Sequence, residues 1–201
     1  MMFNRYRKCH IALNLKKCVF FSPFGILLDH VVCKNGLIMD PAKIKIIVNL
    51  TPPTSSRQMR ATLVHTGYYR KFIKGYAHIT APMEKKLKKD TKFTWNKECQ
   101  QNLDILKEKM VTMPIRVFPN WAKEFHVHID ASSIALGEVL AQEGEGDIDH
   151  PMPFSSRKLS TTNKNYTTTE REGLAMVYSL KKYKHYLLGG HFRIYTDHDA
   201  L

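Results

Sequence analysis

The stretch from Phe125 to Thr196 constrains the fold most, because one long helical pattern stands between strand patterns. Phe125 to Asp130 (FHVHID) alternates apolar and polar side chains and ends on a carboxylate. Leu136 to Gln142 reads as a second strand, Gly144 to His150 as a polar, acidic loop, and Pro153 to Ser156 as a third strand. A helix over about 168–188 follows. Its expected stripe is Gly173, Met176, Leu180, Tyr183 and Leu187, and Gly189-Gly190 stop it. His191 to Thr196 (HFRIYT) is a fourth strand, with Asp197-His198-Asp199 at its end. Strands joined by short loops pair antiparallel, whereas a strand reached through a helix returns parallel. The expected class is mixed α+β, with three antiparallel strands, a helix and a parallel strand.

The first half reads differently. Lys17 to Ser22 (KCVFFS) and Gly25 to Val32 are strand candidates, and Lys34-Asn35-Gly36 is a tight hairpin turn before Leu37, Ile38 and Met39. Asp40-Pro41 reads as helix N-cap and first helical residue. That helix, with Ile44, Ile47 and Val48 on one face, stops before Thr51-Pro52-Pro53. A second helix starts at Thr54-Ser55-Ser56 and loosens near Gly67. A third covers about Thr80 to Lys89 and carries Lys85, Lys86, Lys88 and Lys89. Asn96 caps a fourth, in which Cys99, Leu103, Leu106 and Met110 recur at spacings of four, three and four.

Charge separates the halves further. The chain has 31 Lys and Arg against 18 Asp and Glu, a net +13. Residues 1–100 hold 19 basic and 5 acidic side chains, and residues 101–201 hold 12 and 13. The whole excess lies in the first half, which suits a polyanion such as nucleic acid. There Arg57, Arg60, Arg70, Lys71 and Lys74 interleave with Tyr68 and Tyr69, as in a surface that holds a backbone and stacks on bases. An ordinary amphipathic helix, tyrosines inward and cations outward, fits the pattern equally. No apolar run is long enough to span a membrane. Cys9, Cys18, Cys33 and Cys99 lack metal or redox spacing, which points to reduced thiols and an intracellular, cytoplasmic or nuclear, location. His126 and His128 share a strand face, a pair better explained by packing or surface than by a metal.

Asp130, Glu172 and Asp197 are the carboxylates placed for chemistry. The crossover sets the fourth strand beside the first, so Asp130 and Asp197 approach each other with Glu172 above them. Converging carboxylates repel unless a cation sits between them, and Mg²⁺ prefers such oxygen ligands. Two such ions about 3.5–4 Å apart activate water against a phosphodiester. Each residue also has a structural reading. Asp130 suits a turn, and Asp197 or Asp199 suits a helix cap. Thr167-x-x-Glu170 and Thr169-x-x-Glu172 both fit capping boxes.

From about Cys9 onward, the blocks LNLKKCVFF, LLDHVVCKNGLIMDPAKIKII, TPPTSSRQMRATLVHTGYYRKFI, FTWNKECQQNLDILK, FHVHIDASSIALGEVLAQ, PFSSRKLSTTNKNYTTTEREGLAMVYSLKKYKHYLLG and FRIYTDHDAL occur in sequence. In content and order they resemble the pol polyprotein of gypsy-class long-terminal-repeat retrotransposons, over the back of the reverse transcriptase and the first part of its ribonuclease H domain. The resemblance implies the end of the palm and a β-hairpin over 1–50, a basic thumb or connection over 51–115, and a C-terminally truncated RNase H-like domain over 120–201. It assigns Asp130 in IDAS, Glu172 in EREGLA and Asp197 in YTDH to a site for two Mg²⁺ ions. It also implies hydrolysis of the RNA strand of an RNA–DNA hybrid, with the hybrid and the remainder of the polyprotein as partners. No adjacent aspartates occur, so the family's polymerase signature Tyr-x-Asp-Asp is absent from these residues. The family's fourth acidic ligand lies beyond the third, and the sequence stops four residues after Asp197, so weak or no cleavage is expected of this chain alone. Asp29 and His65 stand where glycine is usual, and Glu138 where a small residue is usual. A non-catalytic nucleic-acid-binding module, or a degenerate relic, is the alternative.

Overall fold

The first half is built on a three-stranded antiparallel sheet in the computed structural model, which describes residues 2–87 and 93–197. A short helix α1 (Met2–Lys8) precedes it. The expected strand at Lys17 to Ser22 is not one: Leu15–Lys17 is a 3-10 turn capped by Asn14, and no described strand accepts the residues after it. The segment expected as one strand over 25–32 is a hairpin. Strands β1 (Phe24–Leu27) and β2 (His30–Cys33) pair through a two-residue turn in which Leu28 and Asp29 have φ of 49° and 57°. Two left-handed residues match the strand twist, and Asp tolerates that conformation well. Asp29 therefore lies in a turn, 3.5 Å from the Lys43 ammonium, and no charge enters an apolar strand.

The Lys34-Asn35 turn leads into β3 (Gly36–Met39), as its sequence predicts. Gly36 is required there. A Cβ at its φ of 144° would stand 2.3 Å from the carbonyl oxygen of Arg116, whose backbone exchanges two hydrogen bonds with Leu37. Asp40 caps α2 (Pro41–Val48) through the Ala42 N–H at 2.9 Å, and Ser55 caps α3 (Ser56–Tyr68). The third helix starts earlier than its pattern suggests. This helix, α4 (Tyr76–Lys85), follows Gly75 at φ 69°, a left-handed entry that suits glycine. Asn96 caps α5 (Lys97–Val111), whose Cys99, Leu103, Leu106 and Met110 are completely buried. They join Met39, Ile47, Met59, Phe72 and Met83 in one core that spans β3 to α5. Each buried leucine there contributes about 2 kcal/mol. Lys88, Lys89 and Asp199 lie outside the described residues.

The second half is a four-stranded sheet in the order β6-β5-β4-β7, formed by β4 (Phe125–Ala131), β5 (Ala135–Glu143), β6 (Asp149–Lys158) and β7 (Phe192–Tyr195). Helix α6 (Thr168–Leu187) crosses it, and β7 returns parallel to β4, as the order of elements requires. The buried face of α6 is rotated from the expected stripe. Glu172, Ala175 and Ser179 join Tyr183 and Leu187 inside, while Gly173, Met176 and Leu180 are only half-buried. Small Ala175 and Ser179 let the helix approach the sheet, where Val127, Leu136 and Leu140 receive it.

The halves meet along β6. Arg70 donates to the Ser156 carbonyl at 3.1 Å, and the Lys158 ammonium lies 3.2 Å from the Glu84 carboxylate. The Ser156 hydroxyl accepts from the Ala77 N–H at 2.9 Å. Helix α4 has no capping side chain at Gly75, so a serine from the sheet satisfies one of its first N–H groups.

Candidate active site

Asp130 is exposed near the end of β4, and Asp197 is exposed just past β7. The parallel register pairs Phe125 with Phe192 and His128 with Tyr195, so Asp130 and Asp197 each follow the last paired residues by two positions. Glu172 is buried. One carboxylate oxygen accepts from the Ala131 N–H at 3.0 Å, and the other accepts a long bond from the Thr196 hydroxyl at 3.4 Å. The glutamate is thus tied to the residue after Asp130 and to the residue before Asp197.

The two capping-box readings separate in the structure. Thr167 and Glu170 form the box: the Glu170 N–H donates to the threonine hydroxyl at 3.2 Å, and the Thr167 N–H donates to the glutamate at 2.8 Å. The backbone bond and then the hydroxyl bond from Thr167 hold the Glu170 carboxyl below its ordinary range. Glu172, half a turn further on, faces the sheet. Oxygen-only donors of this kind fit a hard divalent cation in chemistry. As side chains they stand apart: among the described residues no three His, Cys, Asp or Glu are grouped closely enough to hold a metal ion.

Beside Asp130, a cavity of about 140 Å³ is lined by Lys74, Gly75, His128, Gly137 and Phe154, among others. His128 lies two residues before Asp130 on the same strand face. His126 and His128 contact the two oxygens of Asp149 at 2.7 and 2.5 Å, and the Tyr195 ring stacks on His128 at 4.8 Å. Burial pushes the Asp149 carboxyl up, but the bonds from His128 and His126 outweigh it and hold the group below its ordinary range. The pair is a clamp on a carboxylate, in keeping with a packing role.

Glu138 departs from ordinary burial. It is 4% exposed, and neither carboxyl oxygen nor the neighbouring Ser155 hydroxyl makes a hydrogen bond of full geometry. Burial pushes its carboxyl up to about 7, opposed by the nearby Ser155 hydroxyl and by Lys182, Arg70 and Arg157.

The basic candidates divide. Arg57, Arg60, Arg70, Lys71 and Lys74 are exposed. Tyr68 is half-exposed and donates to the Leu28 carbonyl at 2.7 Å. Tyr69, expected at a nucleic-acid surface, is instead 3% exposed within the helical core, and Tyr76 is buried too. Burial first, then Arg116, Lys182 and Arg70, lower the Lys71 ammonium, so positive charge gathers where the halves meet. Sequence reasoning missed Arg116 and Lys182, which only the packing of the halves brings there.

This sheet order, with a buried helical glutamate over the ends of two parallel strands, defines an RNase H-like fold. Residues 95–194 match the family described as an RNase H-like domain found in reverse transcriptase. Over its full length the chain is similar to retrovirus-related Pol polyproteins from Drosophila melanogaster, with 40% identity over 202 residues to that of transposon 297. It is 35% identical over 206 residues to that of transposon opus, covering 96% of the chain. The chain spans only 19% and 20% of the length of these relatives. Among solved structures, a foamy viral protease-reverse transcriptase in complex with RNA/DNA hybrid shares the fold at TM-score 0.76 and 17% identity, over 90% of this chain and 25% of that one. Another in complex with double-stranded DNA aligns at TM-score 0.79 and 17% identity, over 97% of this chain and 34% of that one. Among the described residues no helix is long and apolar enough to cross a membrane.

Proposed function

We propose that the chain is part of a gypsy-class retrotransposon Pol protein in which a basic helical half holds an RNA–DNA hybrid and the RNase H-like domain cleaves its RNA strand. Residues 1–50 then belong to the end of the palm, residues 51–115 to the thumb or connection, and residues 120–201 to the nuclease. The observation that carries this reading is the Glu172 carboxylate, bonded next to Asp130 and next to Asp197 at once. Asp130, Glu172 and Asp197 are the residues that would hold Mg²⁺, which supplies charge neutralisation and water activation at a phosphodiester when bound. Glu172 holds the ends of β4 and β7 together, which keeps the two exposed aspartates on one edge. Arg57, Arg60, Arg70, Lys71 and Lys74 contact phosphates, with Tyr68 at their margin, and the ribose 2′-hydroxyl distinguishes the RNA strand.

A second reading, a nucleic-acid-binding module without catalysis, is favoured by the separation of the three carboxylates. Cleavage of a labelled hybrid in Mg²⁺, with protein in excess over substrate, decides between them. Cleavage that is lost in Asp130→Asn supports the nuclease. Cleavage unchanged in that variant overturns it.

A further inference from the structure

We propose that Lys74 completes the acidic site from outside the RNase H-like domain: the cavity it shares with Asp130 takes a backbone phosphate beside the bond presented to Asp130. This inference rests on the nuclease reading and gives one of its basic contacts a defined phosphate beside Asp130.

The cavity is lined from both halves. Lys74 and Gly75 come from the turn before α4, and His128, Asp130, Gly137 and Phe154 come from the sheet. Gly137 pairs with Asp130 across β4 and β5 and adds no side chain, so the floor beside the aspartate is open. The rim is held in place. Ser156 binds the Ala77 N–H, Arg70 binds the Ser156 carbonyl, and Lys158 pairs with Glu84 further along α4. Those contacts fix the Lys74-Gly75 turn against the strands that carry His128 and Asp130.

Charge then selects the occupant. An acidic edge repels the phosphodiesters that it is to act on, unless cations meet the flanking phosphates. Lys74 is an exposed ammonium that takes part in none of the ion pairs among the described residues, including none with Asp130. It is a mobile point charge on a flexible stem, suited to a phosphate oxygen. The Ala77 N–H of α4 is already spent on Ser156, so the ammonium, not the helix end, is the anion-binding group. Asp130 faces the same cavity, so a phosphate held by Lys74 places its neighbour in the strand at the carboxylate edge.

The test uses the full chain and RNA–DNA hybrids in EDTA, where binding is measured by fluorescence anisotropy without cleavage. Each hybrid carries one uncharged methylphosphonate, moved stepwise along the RNA strand. Lys74→Gln is expected to weaken binding of the fully charged hybrid several-fold and to reduce the slope of log affinity against log salt by about 0.7–0.9. One methylphosphonate position should abolish the difference between wild type and variant. Lys85→Gln, at the far end of α4, should leave that position's sensitivity intact. Equal losses at every position, or no loss in Lys74→Gln, overturn the inference. If the hybrid binds and Asp130-dependent cleavage is seen while Lys74 couples to no phosphate, only this inference falls; if the hybrid is not bound, the nuclease reading falls with it.

Discussion

Replacing Glu138 by glutamine should change how stability depends on pH, because this carboxyl is buried without a hydrogen-bond partner. Its ordinary value of 4.5 rises to about 7 in the folded chain. A raised carboxyl binds its proton more tightly folded than unfolded, so it favours the folded state at low pH. That advantage begins to be lost as pH rises past 4.5 and is fully lost above 7. At pH 5 most of the unfolded chains have already ionised this group while the folded ones have not. At pH 8 both have, and the folded state carries the charge in a poor environment. The difference between these pH values is about 2.5 kcal/mol in wild type, since each tenfold change in proton affinity is worth about 1.4 kcal/mol. Glutamine keeps the size and cannot ionise. Urea unfolding at pH 5, 6, 7 and 8, in a Trp95→Phe background that leaves Trp121 as the reporter of the sheet, would measure the effect. Subtracting wild type from Glu138→Gln cancels the histidines and the Asp149 clamp. The difference should rise by about 2.5 kcal/mol toward alkaline pH in favour of the variant. Parallel curves would refute the reasoning and show that Lys182, Arg70 and Arg157 neutralise the carboxylate fully.

Two further substitutions test the division between structural and functional side chains. Thr167→Ala removes the α6 capping box and should cost about 1 kcal/mol in urea unfolding. No change would mean that packing against the sheet alone sets the start of the helix. Tyr69→Leu should destabilise the helical core by more than about 1 kcal/mol, while hybrid affinity, measured where the variant remains folded, stays within twofold of wild type. A large affinity loss without destabilisation would return Tyr69 to the binding surface.

Much of the fold is legible because it is local. Asp40 and Asn96 are read as caps from their positions before helical patterns, and each accepts an N–H of its helix, as does Ser55 from the cluster read as the start of the next one. The four-three-four spacing of Cys99, Leu103, Leu106 and Met110 marks a face that burial confirms in full. The β7 return beside β4 follows from handedness alone. What failed also failed locally. Leu28-Asp29 forms a hairpin turn without a glycine or asparagine to announce it, and the apolar run before it lacks a neighbouring strand.

For the candidate site the boundary falls between placement and contact. Sequence alone determined that three carboxylates lie at the ends of β4 and β7 and in the early turns of α6, since element order and periodicity specify where a residue sits along its own strand or helix. Tertiary structure alone decided which glutamate caps α6 and which turns inward, that Tyr69 is core, and that Lys74 shares a cavity with Asp130. Those outcomes depend on the rotation of a helix against a sheet and on how two cores meet along β6. Both are set by the summed packing of residues far apart in the chain, and no window of neighbouring residues contains that sum.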